Sequence, residues 1–209
     1  ITNGDIRALS ASVFRAVLRK RYGESTDVEY PEPEQIIEAK KDAKGILQKL
    51  LEYRKIEDKA KGEYHVHGDI NLNPDKIVIS YSGRMVEEKF GMDRDMPAWT
   101  DNNIKEMVKK GGQIVSFGNV QSYDETSIQL GRRLRLLAEE IVQDKEKFGA
   151  NSVYKGTFVF VDKFSQEEQI ALLAATDLQA QISKRATGAS EYTESDITAN
   201  AGLQLGPPW

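Results

Sequence analysis

The chain has 209 residues, of which 30% are charged, and its Lys and Arg nearly balance its Asp and Glu to leave a formal net charge of -4. That balance gives no global positive field for nonspecific nucleic-acid binding and no polybasic patch for a membrane surface. Cysteine is absent, which excludes disulfides, thiolate catalysis and Cys-based zinc sites, and no apolar run nears the length of a membrane span.

No signal-peptide pattern opens the chain, so a soluble, cytoplasmic protein is expected. The length suits one α/β domain with extra helices. The chain starts on Ile1-Thr-Asn-Gly4 and stops at Pro207-Pro-Trp209 directly after a predicted strand. It therefore reads as a piece of a larger protein.

Residues 1–62 read as a helical segment leading into the domain. Val13, Phe14, Val17 and Leu18 recur at helical spacing, Ile46, Leu47, Leu50 and Leu51 form a second stripe, and Pro31 and Pro33 separate the two. The stretch from Gly62 to Gly68 breaks the pattern and places a boundary there, with residues 63–209 as the second unit. His65 and His67 alternate and would share one face of a strand. Two histidines lack the further ligands of a metal site, so they read as structural.

From Lys76 onward strands alternate with helices, the signature of a mostly parallel sheet covered on both faces. Residues Ile77 to Tyr81 form the first predicted strand. Asp101 caps a helix carrying Ile104, Met107 and Val108, and Gly111-Gly112 ends it before a strand from Gln113 to Phe117. The longest helix starts near Asp124, presents Leu130, Leu134, Leu137 and Ile141 on one face, and exits at Gly149.

Thr157 to Val161 is a buried strand by its β-branched and aromatic content, and Ser165 with Glu168 forms a capping box that opens a helix bearing Ile170 and Leu173. Thr176 to Ile182 and Gly202 to Leu205 are the last two strands. Between them lies Ser183 to Asn200, a glycine-bearing loop running into a helix start near Thr193. Unpaired N–H groups at such a helix start attract an anion.

In a doubly wound sheet a ligand sits beyond the carboxyl ends of the strands, so the residues after each strand are the candidates. Ser82 to Lys89 offers Gly83 for a bend and the cations Arg84 and Lys89, which suit a phosphate or diphosphate and equally suit a solvated helix start. Phe117 to Asp124 offers Asn119 to sugar hydroxyls or a base, or else is a turn with Asp124 as cap. Asp162, Lys163 and Phe164 follow the next strand, where the capping box accounts for the sequence without a ligand. In the last loop Lys184, Arg185, Thr187, Gly188, Ala189 and Ser190 could hold phosphate, and Glu191, Glu194 and Asp196 could take sugar hydroxyls.

With these residues in hand, the chain resembles the C-terminal lobe of GT-B proteins, meaning retaining glycosyltransferases and the related α-glucan phosphorylases. Ile1 to Gly4 is similar to the Val-Thr-Asn-Gly segment that enters this lobe in glycogen phosphorylases. Arg84 and Lys89 are similar to the Arg and Lys pair that holds donor phosphates in glycogen-synthase-like transferases. Phe158 to Phe164 followed by Thr176 to Ser183 keeps the phosphorylase order of strand, aromatic turn, helix and Asp-Leu-x-x-Gln-Ile-Ser. Thr187, Ala189, Ser190 and Asn200 fall on the phosphorylase motif Thr-Glu-Ala-Ser-Gly-Thr-x-x-Met-Lys-x-x-x-Asn-Gly.

The departures are informative. The lysine that carries pyridoxal phosphate in phosphorylases falls on Asp196, and a carboxylate cannot form an imine, so no pyridoxal cofactor is expected. The strand-end Gly-Lys-Ala of phosphorylases is replaced by Gly118-Asn119-Val120. Of two glutamates that contact the donor hexose and ribose in transferases of this fold, one position is Gly188 and the other Asp196. Glu191 or Glu194 would take over the hexose contact.

The resemblance implies a three-layer, Rossmann-like fold and the donor-binding half of a glycosyltransferase. Arg84 and Lys89 would act on the leaving diphosphate, and Gly83, Asn119, the Thr187 to Ser190 loop and Asp196 would bind the donor. It implies a nucleotide sugar or sugar phosphate, a glycan acceptor and an N-terminal lobe as partners, with neither nucleic acid nor membrane. A phosphorylase-like protein that binds phosphate or sugar phosphate, and a noncatalytic sugar-nucleotide-binding module, are the rival readings.

Overall fold

A computed structural model describes residues 33–85 and 100–180, with Gln35 as backbone, and 203–205 as backbone. The elements in chain order are α1 (Pro33–Lys61), β1 (Val66–Gly68), β2 (Val78–Arg84), α2 (Asp101–Lys109), β3 (Gln113–Asn119), α3 (Glu125–Phe148), a 3-10 turn (Gly149–Asn151), β4 (Thr157–Val161), α4 (Gln166–Ala175), β5 (Leu178–Ala180) and β6 (Leu203–Leu205). The six strands form one sheet in the order β1-β4-β3-β2-β5-β6. All neighbours run parallel except β1 and β4, which are antiparallel.

From β2 the chain advances to β3 and then to β4, and it then returns to the far side of β2 for β5 and β6. Right-handed crossovers in opposite directions put their helices on opposite faces of a sheet, and two apolar clusters show that arrangement. Ile104 and Val108 of α2 and Leu130, Leu134, Leu137 and Ile141 of α3 pack on Ile114, Phe158 and Phe160. On the other face Leu47 and Leu51 of α1 and Leu172 and Ala175 of α4 pack on Val115, Phe117, Val159 and Val161. Alternate residues of β3 and β4 thus enter two different cores, and all five residues of β4 are buried. The protein is a three-layer α/β structure, and the helix before Gly62 supplies part of one layer.

Several expectations change in detail. The first strand is β1, which precedes the one predicted at Ile77, and β2 starts at Val78, where its pairing with Gln113 begins; Ile77 is exposed. The cap of α2 is Thr100, whose side chain accepts from Asn103 N, while Asp101 sits in the first turn and pairs with Arg133 at 2.9 Å. The longest described helix is α1, at 29 residues against 24 for α3. Ile46 is exposed although Leu47 and Leu51 beside it are buried. Thr176 is the C-cap of α4, so β5 is shorter than the predicted strand. The caps at Asp124, Gly149 and Ser165 stand where the residue types place them, and Ser165 and Glu168 form the full capping box. The stripe from Val13 to Leu18 lies outside the described residues. Among those residues, no helix is long and apolar enough to cross a membrane.

At the amino end of the sheet two lysines of α1, one turn apart, hold the α4–β5 junction. Lys40 Nζ donates to Ala174 O and Thr176 O, and Lys44 Nζ donates to Lys76 O and pairs with Asp177 at 2.8 Å. Burial, reinforced by Lys44 and opposed by Asp177, brings the Lys40 ammonium down from 10.5 to about 8. Between those two pH values the unfolded chain binds the proton and the folded chain does not, so stability rises with pH across the window. The full rise is on the order of 3 kcal/mol. Urea unfolding from pH 7 to 10.5 checks it: the gain is expected in the native protein and absent from Lys40→Met.

Candidate functional site

The strand order reverses between β2 and β5, and open α/β sheets bind ligands beyond the carboxyl ends of the strands at such a point. The tip of β2 is Ser82-Gly83-Arg84, a run too polar to read as strand, drawn into the sheet by β3. Gly83 pairs with Gly118 and Arg84 with Asn119. Both Arg84 and Asn119 are exposed. By alternation Ser82 and Arg84 share one face of β2. The Ser82 hydroxyl is buried with no hydrogen-bond partner.

The two glycines set the shape of this tip. A Cβ on Gly118 would lie 2.2 Å from Met85 Sδ, and a Cβ on Gly83 would lie 2.9 Å from Tyr81 Oη. Room at Gly118 lets Met85 fold back over β3, where its N–H donates to Asn119 O at 3.2 Å. The Tyr81 hydroxyl donates to Arg84 O at 3.3 Å from a buried position, and burial pushes that phenol well above its usual range. These contacts fix the backbone around Arg84, and the residue itself is exposed. A planar five-donor cation at a strand tip is suited to phosphate oxygens.

The β3–α3 loop is spent mainly on its own capping. Asp124 accepts from Thr126 N, and Ser127 Oγ accepts from Gln121 N at 2.8 Å. The Val120 N–H donates to Asp162 O at 3.2 Å. That leaves Asn119 as the exposed polar residue at the end of β3.

At the tip of β4 the structure assembles a cluster that sequence reasoning missed. Asp162 is 6% exposed. His65 Nδ1 donates to one carboxylate oxygen at 2.7 Å, and His67 Nε2 donates to the other at 3.1 Å. Arg135 Nε of α3 lies 2.9 Å from that second oxygen. Burial pushes the carboxyl up, and the bonds from His67 and His65 with the Arg135 charge outweigh it, so the group ends below the usual carboxylate range.

The cluster continues into α1 and α4. Asp58 accepts from His65 N and from Arg54 Nε, and Arg54 Nη1 reaches both oxygens of Glu168 at 3.1 and 3.2 Å. Glu168 in turn closes the capping box on Ser165. One polar chain therefore joins α4, α1, β1, β4 and α3 at the carboxyl end of the sheet. The alternating histidines and the acidic strand end were its only local signals, and their partners lie far along the chain.

Of the predicted site residues, the structure brings Gly83, Arg84 and Asn119 together. Lys89, Lys184, Arg185, Thr187, Gly188, Ala189, Ser190, Glu191, Glu194 and Asp196 lie outside the described residues. The last nine of these belong to the sequence between β5 and β6. Among the described residues no group of three or more His, Asp or Glu is arranged to hold a metal ion. No protein-family model matches the sequence, and no curated protein matches it.

Proposed function

We propose that this chain is the donor-binding half of a retaining glycosyltransferase that acts on a glucan-type glycan and grips the diphosphate of a sugar nucleotide. The observation that carries the reading is the exposed Arg84 at the tip of β2, the strand at which the order of the sheet reverses. The segment from Thr187 to Asp196, which carries the resemblance, follows β5 in the sequence, and β5 is the other neighbour of β2.

Arg84 and Lys89 stabilise the negative charge that builds on the leaving diphosphate as the glycosidic bond to the donor sugar breaks. Backbone N–H groups from Thr187 to Ser190 add to that field, and Asp196 accepts from the ribose hydroxyls. The acceptor sits on a second lobe, because the cleft of such enzymes lies between two lobes.

Calorimetry against UDP-glucose, ADP-glucose, glucose 1-phosphate and inorganic phosphate tests this. A nucleotide sugar is expected to bind, and Arg84→Ala is expected to weaken it by about tenfold to a hundredfold, the range of a charge-assisted hydrogen bond. Binding of sugar phosphate or phosphate alone would point to the phosphorylase-like alternative. Gly188, at the position of the hexose-side glutamate, favours a noncatalytic binding module as second reading; nucleotide-sugar binding without transfer in a two-lobe protein would select it.

A further inference from the structure

The outward face of α1 carries apolar side chains that no described part of the domain covers. Tyr53 is 62% exposed and Ile56 69%. With exposed Lys49 and Ala60 they form a seam in which the steps are four, three and four residues. That is the spacing of helices that pack in pairs. The opposite face of α1 is already buried on the sheet through Leu47 and Leu51.

Charges flank the seam in a self-complementary order. Glu52 and Lys59 lie along one side and Glu57 along the other. In addition, α1 forms one wall of an open cavity of about 730 Å³, with Ile56 in that wall and Val142 and Lys145 of α3 opposite. The ridge thus borders a groove that can receive side chains from an approaching helix.

We propose that α1 packs against α1 of a second copy of this chain, antiparallel about a two-fold axis near Lys55. In that register Tyr53 packs on the partner's Ile56, and the Lys49 stem lies over the partner's Ala60. Glu52 faces the partner's Lys59. The axis makes each contact twice. A parallel pairing would set Glu52 beside the partner's Glu57, a like-charge contact that selects against it. Mixed charge of this kind fits the same surface turned through the two-fold and would leave unmatched charge against a uniformly acidic or basic partner. The seam is short, so the dimer is weak, with a Kd on the order of 10 μM.

Sedimentation equilibrium on the full chain from about 1 to 200 μM spans that Kd and tests the proposal. A monomer–dimer equilibrium is expected, and Ile56→Glu or Tyr53→Glu is expected to abolish it. Glu52→Lys alone should raise the dimer Kd by about tenfold or more, since two attractive pairs become repulsive. The double variant Glu52→Lys with Lys59→Glu should return it to within about twofold of the native value, as a direct charge pair requires. A monomer throughout the range, a dimer indifferent to Ile56→Glu, or a dimer tightened by Glu52→Lys would overturn it.

Discussion

Asp162→Ala is expected to lower folding stability by about 3 kcal/mol, which at this chain length lowers the melting temperature by roughly 10 °C. The carboxylate is buried at the end of β4 and accepts from His65 and His67 while facing Arg135. Removing it leaves two ring N–H groups without their acceptor and a guanidinium without its counter-charge. Arg135 retains 39% exposure and can turn to water, which places the cost at the lower end of the range for a broken buried pair. Asp162→Asn keeps the volume and one acceptor oxygen, so its cost should be smaller. Urea unfolding of the two variants measures both, and a difference under about 0.5 kcal/mol for Asp162→Ala, the level of an ordinary surface change, would rule out this role.

The same carboxylate sets a pH dependence with a definite sign. Its folded pKa lies below the ordinary 3.8 because the His67 and His65 bonds and the Arg135 charge outweigh burial. The unfolded chain therefore binds this proton first as the solution is acidified. The contribution is fully present above pH 3.8 and is lost as pH falls through the lower folded value. The stability gap between native protein and Asp162→Ala should accordingly narrow below pH 3.8.

The parallel part of the sheet was legible because its signals are local. Asp124, Gly149 and Ser165 mark helix ends by side-chain chemistry acting within a few residues, and the run from Thr157 to Val161 has the β-branched and aromatic content of a doubly covered strand. The strand character of Ser82, Gly83 and Arg84 was hidden, since pairing with Phe117, Gly118 and Asn119 decides it. Thr100 and Asp101 are both competent caps, and the choice fell to Thr100 as Asp101 took Arg133. Ile46 belongs to the same apolar run as Leu47, yet one step around the helix carries it from the sheet to the outside.

The candidate site divides along the same line. A glycine and a cation after a strand identify Gly83 and Arg84, because the carboxyl end of a parallel strand is a ligand end in any doubly wound sheet. The Asp162 cluster was illegible because His65 and His67 meet Asp162 only when β1 closes antiparallel on β4. The alternation of His65 and His67 fits a strand, but nothing local gives its antiparallel pairing with β4.

Gly68→Ala is expected to be among the most damaging single changes in that edge, at about 3 to 5 kcal/mol. Gly68 has φ 101, where an L side chain is strained by about 1 to 3 kcal/mol. Its Cβ would also lie 2.1 Å from Phe158 O and 3.3 Å from Val159 Cα. Those atoms belong to β4, which β3 holds on its other side, so the sheet cannot shift to make room and an overpacking cost adds to the strain. Gly62→Ala separates the two terms, because Gly62 has φ 71 with nothing within 4 Å of an added Cβ. That change should cost only about 1 kcal/mol. Displacing Gly68 also pulls away the carbonyl that Lys55 Nζ reaches at 3.1 Å and draws His67 from Asp162. Amide exchange should therefore accelerate first across β1, before β2 and β3 respond. Equal costs for the two glycine variants would show that the approach of β1 to β4 is not what requires glycine at position 68.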